Sequence, residues 1–355
     1  MKSSNIFKRE SLFVPIIAII VGLVLGALVM YMGGYDPILA YQSMITKIFG
    51  STFDMGETIR TIVPLVMCGL AVAISFRAGL FNIGVDGQII MGSLGALIVG
   101  TQVSLPPFLH GLVAILAGAL LGGLWGALVG YLRAEMGISE VVTSIMLNFI
   151  ALYFSQFLIN LFMLQEGTQR SEMIKDSASI QMSWLSNLVD GARIHWGFII
   201  AILAVIFYQV YLNKTKWGYE LRAVGLNPHA AHYAGMNVPH ILVKTMFISG
   251  VFGGLVGAFD VLGVFKYVAI SSTTSGLGFD GIAVSLLGGN TAVGVLLSGI
   301  LFGALTYGSQ GMSFGAGVPA EIIRMVIGFI IFFVAAPGIV KLLFRPFHKK
   351  SKEEA

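Results

Sequence analysis

HGLVAILAGALLGGLWGALVGYL, residues 110–132, decides the fold. The stretch carries no Asp, Glu, Lys or Arg, and a helix of this length rises about 35 Å at 1.5 Å per residue. That is enough to cross a hydrocarbon core about 30 Å thick. Its glycines let helix backbones approach closely in a solvent that supplies no hydrophobic drive for helix association. The segment therefore reads as one packed helix of an integral membrane protein.

The rest of the chain has the same character. Hydrophobic residues make up 56% of 355 positions and charged residues 11%, with a mean hydropathy of +0.88. A soluble domain carries about 25% charged residues and covers its core with them. Working outward from residue 110 gives ten apolar segments: 11–32, 57–76, 85–100, 110–132, 139–163, 195–212, 241–262, 279–289, 293–310 and 319–336. The third and eighth are too short to cross alone and must work with the Gly-rich stretches before them. Irregular backbone at membrane depth survives only inside protein or beside a water-filled cavity. The expected fold is all-α, with about ten transmembrane helices in a single transmembrane domain covering residues 1–355.

Net charge is +4, but the basic residues sit at span ends, so they read as orientation and not as a nucleic-acid surface. Lys2, Lys8 and Arg9 precede span one, and no small-residue cleavage pattern follows it. Lys341, Arg345, Lys349, Lys350 and Lys352 mark a basic tail, 341–355. Both termini and the loop 213–240, with Lys214, Lys216 and Arg222, are thus expected in the cytoplasm. The loop 164–194 is expected outside, although Arg170, Lys175 and Arg193 in it pull the other way. The single cysteine, Cys68, excludes an internal disulfide and reads as a small buried residue.

Two parts of the chain resemble each other. Leu116 to Leu124 matches Leu297 to Leu305, and the same offset brings Glu140-Val-Val onto Glu321-Ile-Ile. Gly79-Leu leads to Asp86-Gly and Gly95, as Gly276-Leu leads to Asp280-Gly and Gly289. Spans two to five then correspond to spans seven to ten. An offset of five spans makes the copies run oppositely through the bilayer, the inverted repeat common in transporters.

In 219–236, Asn227 suits an N-cap, Pro228 the first helical position and Gly235 the helix end. These residues predict a short helix of about two turns. The run resembles the coupling loop of ATP-binding cassette (ABC) importer permeases that handle ribose-type sugars, branched-chain amino acids and nucleosides. The likeness extends over nearly the whole chain. It implies that Arg222, Gly225, Asn227, Pro228, Ala230, Ala231, Tyr233 and Gly235 form a helix docked on an ATPase.

The stretch 77–92 resembles the Phe-Asn-Ile-Gly, acidic, Gly-Gln signature of the same group, with Asp86 where the family usually has Glu. Phe81, Asn82, Asp86 and Gln88, with Asn148, Phe279 and Asp280, are the candidate substrate-pathway residues. An ionisable group at membrane depth is a functional candidate by default. A second reading stays open: Asp86 caps the third span and Asn82 satisfies the backbone of a broken helix. The stretch Ser271-Ser-Thr-Thr-Ser275 reads equally as an outward vestibule with hydroxyls for a sugar-like ligand or as a plain loop.

Catalysis finds no support in the chain. None of the six histidines is paired with Cys or carboxylates at metal-ligand spacing, and no Gly-x-x-x-x-Gly-Lys-Ser/Thr phosphate loop occurs. Transport driven by ATP requires another polypeptide to hold ATP and Mg, and this chain needs no cofactor of its own. The extended coupling motif and the long loop 164–194 are most similar to nucleoside permeases. That similarity implies a related second permease forming a heterodimer, an ABC ATPase, a substrate-binding lipoprotein outside and residence in the bacterial plasma membrane. Ribose-type sugar or branched-chain amino acid permeases are the alternative. An ion-coupled secondary transporter would share the inverted repeats but would not need the capped cytoplasmic helix.

Overall fold

The computed structural model describes residues 4–335; the basic tail and the last residue of span ten lie outside them. In chain order the α-helices are α1 (Ser4–Met32), α2 (Pro37–Phe49), α3 (Thr52–Arg77), α4 (Val85–Gln102), α5 (Leu109–Met136), α6 (Glu140–Phe162) and α7 (Ser183–Leu188). They continue as α8 (Gly197–Lys214), α9 (Lys216–Leu226), α10 (Pro228–Tyr233), α11 (Val238–Phe259), α12 (Leu277–Leu287), α13 (Ala292–Ala316) and α14 (Ala320–Ala335). The only β-type pairings among the described residues are isolated bridges in the loops after α6 and α11.

A helix coincides with each of the ten apolar segments. Among the described residues six are long and apolar enough to cross a membrane: α3, α5, α6, α8, α11 with the turn that follows it, and α13. α12, with 11 residues, rises only about 17 Å and cannot cross alone. α2 was not expected from the sequence. Asp36 caps it by accepting from Ile38 and Leu39 N–H, and Pro37 occupies its first turn.

The described residues form two compact units. Of these, 4–51 and 305–335 make the first. There α1 meets α14 where a Cβ on Gly22 would lie 2.6 Å from the Ile330 backbone. The Tyr41 hydroxyl of α2 donates to Leu23 O at 2.6 Å, and Lys47 stands over the Tyr307 ring.

Residues 52–304 make the second unit, which holds the candidate sites. Its centre is α4, α5 and α11 pressed together through glycine. A Cβ at Gly92 would meet Gly254 O at 2.2 Å, one at Gly254 would meet Gly118 O at 2.4 Å, and one at Gly250 would meet Gly122 O at 2.2 Å. Dispersion and backbone contact replace the hydrophobic effect as the cohesive force in lipid, so close approach is where the stability resides. α3 is buried on nearly every side from Val63 to Ser75. α12 lies on it where Gly281 faces the fully buried Cys68.

Candidate functional site

Between α3 and α4 the helix breaks at residues 78–84, with Gly79 at φ +75°. A break at this depth exposes backbone groups that lipid cannot satisfy. Side chains satisfy them here. Asn82 Oδ1 accepts from Gly84 N–H at 2.8 Å while its Nδ2 donates to Ser249 Oγ at 2.7 Å. Asn148, on α6, accepts from Gly87 N–H at 2.8 Å and donates to Ile83 O at 3.0 Å.

Asp86 Oδ1 accepts from Gly278 N–H at 3.1 Å and from Ser275 Oγ at 3.2 Å, tying the start of α4 to the start of α12. Gln88 accepts a long bond from Asn82 at 3.5 Å. Asp86 Oδ2, Gln88 Nε2 and Ser144 Oγ have no protein partner among the described residues.

The structure thus buries Asn82, Asp86, Gln88 and Asn148 around the same break, Asn82 bonded to Gln88, Asn148 to the backbone of the break and Asp86 to the start of α12. Phe81 is half-buried beside Phe76, whereas Phe279 and Asp280 are exposed on the first turn of α12. Replacing Asn148 with alanine strands Gly87 N–H and Ile83 O together. The variant is expected to lose about 2 kcal/mol, read as a lower melting temperature of the purified protein in detergent. Gln156→Ala, on the same helix but outside the network, should shift it far less.

The loop after α8 is two helices where the sequence predicts one. Residues 164–194 and 213–240 lie at opposite ends of α8, whose 18 residues rise about 27 Å. α9 is anchored by buried Leu221 and Val224, Arg222 Nε donates to Gly218 O, and Lys244 of α11 sits over the Trp217 ring. α10 begins at Asn227, whose Oδ1 accepts from Ala230 N–H at 3.0 Å, and Gly235 follows its end at φ +82°. Pro228 and Ala230 are exposed and Ala231 is buried, while Leu226 and Tyr233 are 89% and 93% exposed. Two large apolar side chains this bare, one at the end of α9 and one at the end of α10, suit a protein partner.

One contact joins the two regions. A Cβ on Gly225 would stand 2.1 Å from Arg77 O and 3.0 Å from Ala78 C, so α9 rests backbone to backbone on the end of α3. Arg77 in turn donates from Nε to Asn290 O at 3.0 Å, beyond the far end of α12. A short chain of contacts therefore links the loop to the broken helix and to the end of α12.

The sequence reading passed over Asp260. It lies in the seventh apolar segment, and a lone carboxylate in such a run was itself a sufficient signal. Among the described residues no three potential metal ligands gather.

Known proteins share this sequence over most of its length. The family described as branched-chain amino acid transport system / permease component matches residues 55–335. The chain is 44% identical to the guanosine ABC transporter permease protein NupP of Bacillus subtilis, over 97% of this chain and 99% of that protein. It is 36% identical to the nucleoside ABC transporter permease protein NupB of Lactococcus lactis, over 95% and 94% of the two chains. The glucose ABC transporter permease protein TsgB13 of Haloferax volcanii is 32% identical, over 92% and 88%. No solved structure matches the chain at a significant level.

Proposed function

Because this chain belongs to the family of branched-chain amino acid transport system permease components, we propose that it carries nucleosides inward across a bacterial plasma membrane as one half of an ABC importer. As a permease of that family it is a multi-pass membrane subunit and not an enzyme, and the ATPase is a separate subunit. The near full-length relation to a guanosine and a nucleoside permease supports the substrate class.

In this reading all ten apolar helices cross or enter the bilayer, with both termini and residues 213–240 in the cytoplasm. Residues 164–194 face the substrate-binding lipoprotein, and a second, related permease completes the pathway. Spans two to five and seven to ten form inverted repeats. Local geometry supports this: α5 and α13 both end on a left-handed glycine, Gly137 and Gly317. Both ends are closed by the same bond, from Ile138 N–H to Leu132 O and from Val318 N–H to Met312 O, each 3.3 Å.

The observation that carries the mechanism is the seat of Gly225 on Arg77. ATP, bound with Mg on the partner ATPase, supplies the work. α10 docks there, α9 passes the movement to the end of α3, and the break at 78–84 lets α4 and α12 re-angle around the Asp86 bonds. Exchanging Leu226 and Tyr233 together for serine is expected to weaken ATPase association about tenfold with the melting temperature unchanged, because both side chains are almost fully exposed. Quantitative pull-down of the ATPase on immobilised permease measures this.

The decisive experiment reconstitutes the chain with its neighbouring permease, ATPase and receptor and follows labelled nucleoside uptake. Uptake that requires ATP supports the proposal. Uptake driven by an ion gradient without ATP would sink it, and uptake of glucose in place of nucleosides would reassign the substrate.

A further inference from the structure

A cavity of about 320 Å³ lies between α4, α6 and the turn that ends α11, within the range of small-molecule sites. Asp260, Ser93, Ser155 and Gln156 give it polar groups, and Phe265 and Tyr267 give it aromatic surface. No Lys or Arg lines it.

Asp260 opens a π-helical turn, Asp260–Phe265, continuous with α11. Such turns are rare and concentrate at functional sites. The carboxylate meets no hydrogen-bond donor among the described residues, although the Arg60 cation is within electrostatic reach. Holding an acceptor of this strength at membrane depth is costly without a use for it.

The walls are held from outside the cavity. Tyr267 is backed by the Arg170 guanidinium at 4.9 Å. Val268 exchanges bonds with Ser171, accepting from its N–H at 2.9 Å and donating to its Oγ at 3.0 Å. Gln156 Nε2 donates to Ser271 O. Ser275 of the lining donates to Asp86, so the cavity borders the hydrogen bonds of the broken helix.

We infer that this cavity is a transit site for the ribose of a nucleoside: Asp260 accepts from the two vicinal hydroxyls, and Phe265 and Tyr267 bear on the base. The inference rests on the nucleoside reading above and adds the selectivity. A carboxylate with two acceptor oxygens matches a vicinal diol, since each hydroxyl supplies a donor. The same charge, with no cation in the lining, repels a phosphate, so nucleosides pass and nucleotides do not.

The test uses the whole complex, this chain with its partner permease, ATPase and receptor, in proteoliposomes. Labelled ribonucleoside and 2′-deoxynucleoside uptake are compared for wild type, Asp260→Asn and Asp260→Glu with one receptor preparation. Asp260→Asn should lower ribonucleoside uptake about tenfold and flatten the wild-type preference, while ATP hydrolysis stimulated by loaded receptor persists. Asp260→Glu should keep the preference.

Should Asp260→Asn fail to assemble, Gln156→Cys, at a half-buried position of the same lining, is labelled with a small thiol reagent in the assembled complex. Cys68 is fully buried and gives no background. Excess ribonucleoside should slow labelling more than 2′-deoxynucleoside does. An unchanged uptake ratio in Asp260→Asn, or labelling indifferent to ribonucleoside, overturns the cavity assignment while wild-type uptake still stands. Absence of nucleoside uptake by the wild type overturns the parent reading.

Discussion

Replacing Gly254 with leucine is expected to leave almost no folded protein in the membrane fraction. A Cβ there would already lie 2.4 Å from Gly118 O and 3.0 Å from Gly122 Cα, and both neighbours are backbone. Backbone atoms of a buried helix cannot rotate aside as a side chain can. Relief requires α5 and α11 to separate, which breaks the reciprocal contacts at Gly92, Gly122 and Gly250 at once. Overpacking in a core that can adjust costs about 1–3 kcal/mol, and this core has no adjustable atoms at the contact. Size-exclusion of a fluorescent fusion measures the folded yield. Gly328→Leu on α14, where a Cβ meets nothing within 4 Å, is the matched control and should express like wild type.

Valine at position 225 is expected to have the second largest effect, on transport and not on folding. Its Cβ would meet Arg77 O at 2.1 Å, so α9 must lift off the end of α3. Leu221 and Val224 keep α9 attached, and the exposed side chains of Leu226 and Tyr233 are untouched. ATPase association should therefore persist while nucleoside uptake falls at least about tenfold, the mark of a severed linkage. Uptake in proteoliposomes, read beside ATPase pull-down, separates the two. Uptake within about twofold of wild type would reject the Gly225 contact as the route of coupling.

Much of the architecture is legible in the sequence because lipid imposes a simple rule on helix composition. The ten apolar runs coincide with helices, and Asn227, Pro228 and Gly235 bound α10 as local capping chemistry dictates. α2 is less legible because it is only 13 residues long and carries Lys47 in its last turn. Its true signal, Asp36 followed by Pro37, is a local cap that a search for long apolar runs does not weigh.

The candidate site is legible as residue types and not as bonds. Asn82, Asp86, Gln88 and Asn148 stand out as polar residues among glycines and aliphatics, yet nothing local says that Asn148 serves backbone groups 61 and 65 residues away. The cavity beside Asp260 is hidden for the same reason. Its lining comes from α4, α6 and the stretch after α11, and no periodicity joins residues 93, 155 and 260. The π-helical turn that aims Asp260 is likewise a tertiary outcome, since the run Val256 to Phe265 reads as ordinary helix.

The seat of Gly225 on Arg77 also bears on how faithfully work can be delivered. A linkage through long side chains has slack, because each rotamer change absorbs part of an applied displacement before the next element feels it. At residues 77 and 225 no side chain intervenes, and Arg77 spends its guanidinium on Gly289 and Asn290 carbonyls on the other side. In the proposed mechanism the stroke of the ATPase therefore reaches main chain with no rotamer in between to absorb it, and such a joint has little backlash.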